Sequence, residues 1–267
     1  MATKGQLSKA VVALRISRLE ALEKRFIPDI KGVFTSQERL FLKALRNTPK
    51  VQMEGYKRTV RELDVPSWWA EAWQKVETNT ELNWKKVLVE MQTPAIIAGA
   101  NDALQIMRMQ AELAVQDPRV LTYLQTNSAT RISAINETTR EAVQSIIMKG
   151  QEAGWSYEEL AKALHQRFEE FRVGTPQAHL RTRAELIAVT EVGDAYCEGP
   201  LLAGRDLAAA GFKMTKSWLT VGDDRVSAGC NENESASAIA LESQFPSGHM
   251  RPLRFPGCRC SLQTYAD

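Results

Sequence analysis

Leu207-Ala-Ala-Ala-Gly-Phe-Lys-Met-Thr-Lys-Ser-Trp-Leu-Thr-Val221 is where the chain changes character. Before it the apolar residues recur at helical spacing. After Gly211, Lys213 to Val221 carries Trp218, Leu219 and Val221 and is expected to be a strand, and Gly222-Asp223-Asp224 is turn chemistry. The roughly 210 residues before this stretch therefore predict helix. The residues after it predict a small C-terminal α+β module with short antiparallel strands and a long loop. The fold class expected is mainly α-helical with that module at its end.

Working backward, a helix is expected from about Gln177 past Tyr196, with Leu180, Ala184, Ile187 and Glu191 on one face. Gly154 and Ser156 precede another, with Glu159 completing a capping box and Leu160, Leu164 and Phe168 as its apolar stripe. A third runs from about Asn127 to near Gly150. Pro94 is expected to open a long helix through Leu113, with a turn at Asp117-Pro118. Pro28 is expected to end the first helix. Thr35 with Glu38 reads as a capping box before Leu40, Phe41, Leu42 and Leu45. Trp68, Trp69, Trp73 and Trp84 form a cluster that suits either core packing or a docking surface.

The chain has 267 residues, 44% hydrophobic and 25% charged, which fits one or two globular domains and excludes wholesale disorder. The longest strongly apolar stretch, Pro94 to Ala100, is far short of the ~20 residues of a membrane-spanning helix. Arg15 and Arg18 interrupt the early apolar run before a secretory signal forms. The net charge of +2 hides an asymmetry: residues 1–61 hold 14 Lys/Arg against 5 Asp/Glu, the remaining 206 hold 20 against 27. A basic front of this kind meets nucleic acid or an acidic protein surface, or is simply a solvated helix face.

Phosphate-loop, dinucleotide, zinc-protease and serine-hydrolase motifs are absent from the sequence. His165 and His179 are expected to be solvated or packed. Glu137 and Glu141, with Arg140 beside them, read as an exposed charged face. One group suggests further chemistry. Beyond the turn lies a polar loop of about 30 residues, uncommon unless functional or held by something other than a core. It contains Cys230 and His249 and leads to Cys258-Arg-Cys260-Ser-Leu262, which reads as a closing strand. An extended 258–260 segment sets both thiols on one side. Cys230, His249, Cys258 and Cys260 then suit a structural zinc site. Buried free thiols with a surface histidine, or a disulfide formed after release from a cell, are the alternatives.

Four motifs in order carry a resemblance: Arg183-Ala-Glu-Leu-Ile-Ala-Val-Thr-Glu191, Lys216-Ser-Trp218, Asp223-Asp-Arg-Val226 and Pro256-Gly-Cys-Arg-Cys-Ser-Leu262. From Arg183 to Leu262, and more loosely back to Asn127, the chain resembles the phage head-morphogenesis, or Mu F-like, minor head proteins. The resemblance implies a domain at 127–267 preceded by a helical region at 1–126 with its basic segment at 1–61. It implies a structural rather than catalytic protein of a tailed bacteriophage, acting in head assembly at the portal vertex. Its expected location is the virion head, assembled in the host bacterial cytoplasm. The expected partners are the portal protein, scaffold or major capsid protein, and packaged double-stranded DNA, with no membrane. The family often has a Cys-x-x-Cys pair after the Asp-x-Arg-Val turn; here Ser227 stands at its first position and Cys230 at its second. Arg183, Glu191, Trp218, Asp224 and Arg225 are expected to be scaffold residues, with Arg183 and Glu191 pairing with Asp224 and Arg225. Two other functions stay open. One is a zinc-dependent nuclease or hydrolase with Glu191 or Asp224 as base. The other is a charge-driven DNA-binding protein.

Overall fold

A computed structural model describes residues 9–47, 67–109, 117–155, 157–173 and 182–266. Among them are helices α1 (Lys9–Arg46), α2 (Ser67–Ile106), α3 (Pro118–Ala153), α4 (Tyr157–Val173), α5 (Arg183–Ala209) and α6 (Ala228–Ser235). The strands are β1 (Met214–Leu219), β2 (Ile239–Ala240) and β3 (Ser261–Ala266). They form one antiparallel sheet in the order β2-β1-β3, with Trp218 opposite Leu262 and Leu219 opposite Ser261. The protein is mainly α-helical with a small C-terminal sheet, as the change of texture at Gly211 predicts.

The helices are longer than their punctuation suggests. Pro28 lies inside α1 and Pro94 inside α2, so neither bounds a helix. An internal proline costs about 3 kcal/mol. On α1 that cost is offset by Phe26, Ile30, Val33 and Phe34, all buried around it, each contributing about 1.5–3 kcal/mol. The Thr35–Glu38 capping box does not form. Thr35 is inside α1 and its hydroxyl donates to the Lys31 carbonyl at 3.0 Å, a mid-helix back-bond. Glu38 accepts from Arg172 at 2.8 Å instead. Asp117 does start a helix: its carboxylate accepts the Arg119 N–H at 2.8 Å, the N-cap pattern. At the other end of α3, Gly154 takes φ +66° and the Trp155 N–H donates to the Gly150 carbonyl at 2.8 Å, closing the helix with a left-handed cap. The chain after Gly222 is less irregular than its composition suggests, because α6 and β2 lie within it.

The chain divides into two compact units that interleave in sequence: unit 1 is 1–27, 88–126 and 185–267, and unit 2 is 28–87 and 127–184. Unit 2 has an aromatic core. Phe34 meets Trp84 edge-on at 5.4 Å between centroids and Phe171 at 5.3 Å, and Phe41 meets Trp73 at 5.9 Å. Trp69, Trp73 and Trp84 are buried, so of the two readings of the tryptophan cluster these residues take core packing. The Trp68 side chain lies outside the described residues. In unit 1, α2 and α5 cross with their backbones almost touching. A Cβ on Gly99 would sit 2.0 Å from the Tyr196 carbonyl oxygen, and one on Gly199 would sit 2.2 Å from that of Ile96. Only glycine allows that approach.

Candidate functional site

The C-terminal module is organised on α5, and the residues that do this are charged. Glu198 and Asp194 stand one turn apart and share the guanidinium of Arg251, which bonds each at 2.7 Å. Tyr123 donates its hydroxyl to the other Asp194 oxygen at 2.8 Å. Burial pushes the Tyr123 hydroxyl well above its usual range, and the Asp194 charge adds to that. Burial disfavours the Arg251 charge, but Asp194 and Glu198 outweigh it and hold the group protonated. One turn earlier, the Thr190 hydroxyl accepts the Gly257 N–H at 3.0 Å, and Gln92 donates to Glu191 at 2.9 Å. On α1, Arg15 reaches β3, donating to Ser261 at 2.6 Å and Gln263 at 3.0 Å. These bonds fasten the 251–263 segment, whose buried polar groups need partners.

The fastened segment carries three thiols to one place. Cys230, Cys258 and Cys260 are buried, and their sulfurs all lie within 4.8 Å of one another. Cys230 Sγ is 3.9 Å from Cys258 Sγ. Cys258 and Cys260 precede β3 rather than forming part of it, since the strand starts at Ser261. Their approach is the work of the turn at 255–258, where the Cys258 N–H donates to the Phe255 carbonyl at 3.1 Å. Cys230 comes from the first turn of α6. The Cys260 thiol and the backbone N–H groups of Cys260 and Arg254 draw the Cys258 thiol below the usual range. Cys260 keeps its proton and donates it to that hydrogen bond, so its own thiol is pushed up by the bond and by burial. Cys197 is buried elsewhere on α5, with its thiol 3.7 Å from the Cys260 carbonyl. Burial raises it to about 12.

His249 lies outside the three-cysteine group. Its Nδ1 is 3.0 Å from both the hydroxyl and the carbonyl of Ser247, and Ser247 is tied to the buried Asn233 of α6. Trp218 is buried, edge-on to Phe245 at 5.2 Å. The expected pairing of Arg183 and Glu191 with Asp224 and Arg225 gives way to other partners. Arg183 donates to the Ile135 carbonyl at 3.0 Å and stacks on Phe171 at 4.8 Å, and burial lowers it to about 10. Arg225 bonds Asp223 in its own turn, and Asp224 is exposed. Arg251-Pro252 belongs to the stretch that carries the family resemblance, but its partners Asp194 and Glu198 had no sequence signal beyond two acidic residues four apart on a helix.

His165 meets Glu38, and Glu137 and Glu141 are exposed with Arg140 on Glu137. His179 lies outside the described residues. Among the described residues no helix is long and apolar enough to cross a membrane.

A helical chain ending in a sheet-and-thiol module, held to one helix by the ion pairs of Arg251 with Asp194 and Glu198, is the architecture these residues define. Residues 141–263 match the family described as Phage Mu protein F like protein, which supports the resemblance to Mu F-like phage head-morphogenesis proteins. No curated protein and no solved structure matches the chain.

Proposed function

We propose that this chain is a minor head protein of a tailed bacteriophage that acts in head assembly at the portal vertex, with 127–267 as its Mu F-like domain. The observation that carries the reading is the match over 141–263. It covers α5, the sheet and the three-cysteine group, the parts that buried hydrogen bonds make rigid. The role is structural rather than catalytic. In support, three carboxylates of α5 are engaged: Glu191 by Gln92, Asp194 and Glu198 by Arg251.

Contact with packaged DNA is the second part of the proposal, and α1 favours it. Arg39, Lys43 and Arg46 are exposed and fall three and four residues apart, on one helix face. Together with Thr35, Glu38, Leu42 and Asn47 they line a surface depression. Such a stripe meets phosphates through charge alone, without reading sequence.

The test is co-sedimentation of the full chain with portal rings of the same phage at moderate and high salt. Saturable binding that persists in high salt is expected. Absence of ring binding, with salt-sensitive DNA binding in its place, overturns the portal assignment and leaves the α1 stripe as the functional surface.

A further inference from the structure

We propose that Cys230, Cys258 and Cys260 form a three-thiolate site for one zinc ion, with the fourth coordination position left to a ligand outside the three thiols. The inference is independent of the portal reading. It starts from spacing. A tetrahedral ion with Zn–S near 2.3 Å separates neighbouring sulfurs by about 3.8 Å. Cys230 and Cys258 are 3.9 Å apart, and all three sulfurs lie within 4.8 Å of one another. A disulfide would need about 2.05 Å, and it would use two of the thiols and strand the third.

Hydrogen-bond donors surround two of the sulfurs. Backbone N–H groups of Cys260 and Arg254 aim at the Cys258 sulfur. The Trp218 indole N–H is buried with no oxygen or nitrogen acceptor, and the atom it faces is the Cys260 sulfur. A buried donor with no oxygen or nitrogen to meet is costly. A metal-bound thiolate, carrying full negative charge, is the acceptor it lacks. Three thiolates on one divalent ion leave a net charge of −1, and a cation is packed nearby. The Arg254 guanidinium lies on Gly229, where a Cβ would fall 2.6 Å from its Cζ, and donates to Ser227 at 3.0 Å. Gly229 immediately precedes Cys230.

The site would also supply cohesion. The residues between β2 and β3 form few regular hydrogen bonds, and their buried apolar side chains are few: Leu241 and Phe245 are the larger ones. An ion drawing Cys230 of α6 to the 258–260 segment closes a loop of 28 residues in sequence, and metal binding then adds directly to folding.

The experiment is elemental mass spectrometry of the full chain, purified under reducing conditions without chelator, beside Cys258→Ser, Cys260→Ser and His249→Ala. About one zinc per chain is expected in the parent protein, its loss in both serine variants, and its retention in His249→Ala. Because a serine variant can fail to fold, cobalt is added to the metal-stripped parent protein as a second reading. Near-ultraviolet sulfur-to-cobalt charge-transfer absorption, displaced by zinc, is expected. A parent protein that holds no zinc and shows no such absorption overturns the proposal. Zinc retained by a folded Cys258→Ser chain also overturns it, and zinc lost from a folded His249→Ala chain replaces the three-thiolate set by one that includes the histidine.

Discussion

Unit 2 buries Phe34, Phe41, Trp69, Trp73, Trp84 and Phe168, with Glu38 as its one buried charged residue among those described; unit 1 buries Arg15, Glu23, Glu191, Asp194 and Lys216 together with four cysteines. The first gains stability from area removed from water, which is large and indifferent to direction. The second buries an apolar core as well, with Tyr196, Trp218 and Phe245 in it, and adds directed bonds, each worth little net but expensive to leave unmade. Directed bonds specify geometry. It is the unit with directed bonds that holds most of the family match and brings three thiols together.

Breaking each unit where it is strongest sharpens the contrast. Trp84→Ala empties a fully buried site and is expected to cost about 3–5 kcal/mol. Its indole N–H has no hydrogen-bond partner, so the whole loss is packing. Urea denaturation followed by circular dichroism measures it, and a cost below about 1 kcal/mol would mean that the aromatic cluster does not hold unit 2.

Arg251→Met leaves Asp194 and Glu198 without their shared cation. Part of the site is open to solvent, so the expected loss is about 2–3 kcal/mol, at the low side for breaking a buried pair. Adding Asp194→Asn and Glu198→Gln to the same chain is expected to restore part of it. Failure to restore any would show that packing of the arginine, rather than its charge, fastens the loop.

The smallest effect is a pH dependence. Lys216 is buried in β1, with its ammonium donating to the Met250 carbonyl at 2.7 Å, and burial lowers it to about 8. Glu242 favours its charge and Arg205 opposes it. In the unfolded chain the group titrates near 10.4. Between those values the unfolded state binds the extra proton, so stability rises with pH across that window and is flat below it. The gain expected across the window is about 1–2 kcal/mol. Lys216→Met is expected to abolish this rise in denaturation midpoints measured from pH 7 to 10.5, and an unchanged profile would remove Lys216 as its source.

Several elements were legible because their signals are local. The loss of helical spacing at Gly211 marks the real passage from α5 to β1. The Asp117-Pro118 signal is real, but it starts α3 directly, at Pro118 and not near Asn127 as expected. Cys230, Cys258 and Cys260 are close because a turn and a helix start deliver them, although the extended strand expected at 258–260 begins only at Ser261. Other readings failed because a local signal was outweighed. Pro28 and Pro94 punctuate, but burial on both sides carries α1 and α2 through them. Thr35 and Glu38 have capping-box spacing, yet that box exists only where a helix begins. Arg183 was expected to meet an acid and instead lies on aromatic rings, because cation–π contact and one carbonyl suffice for a partly buried guanidinium.

The sequence by itself determined the helical class, the place where it gives way to a sheet, and the motif series that marks a Mu F-like domain. All three are written in residues close together in the chain, where periodicity and turn chemistry act. Only the tertiary structure decided which charges pair, that Trp69, Trp73 and Trp84 are core, and that Cys230, Cys258 and Cys260 converge while His249 stands outside. Partners dozens to hundreds of residues apart are chosen by packing, in which the cost of an unpaired buried group selects one arrangement from many that the sequence allows.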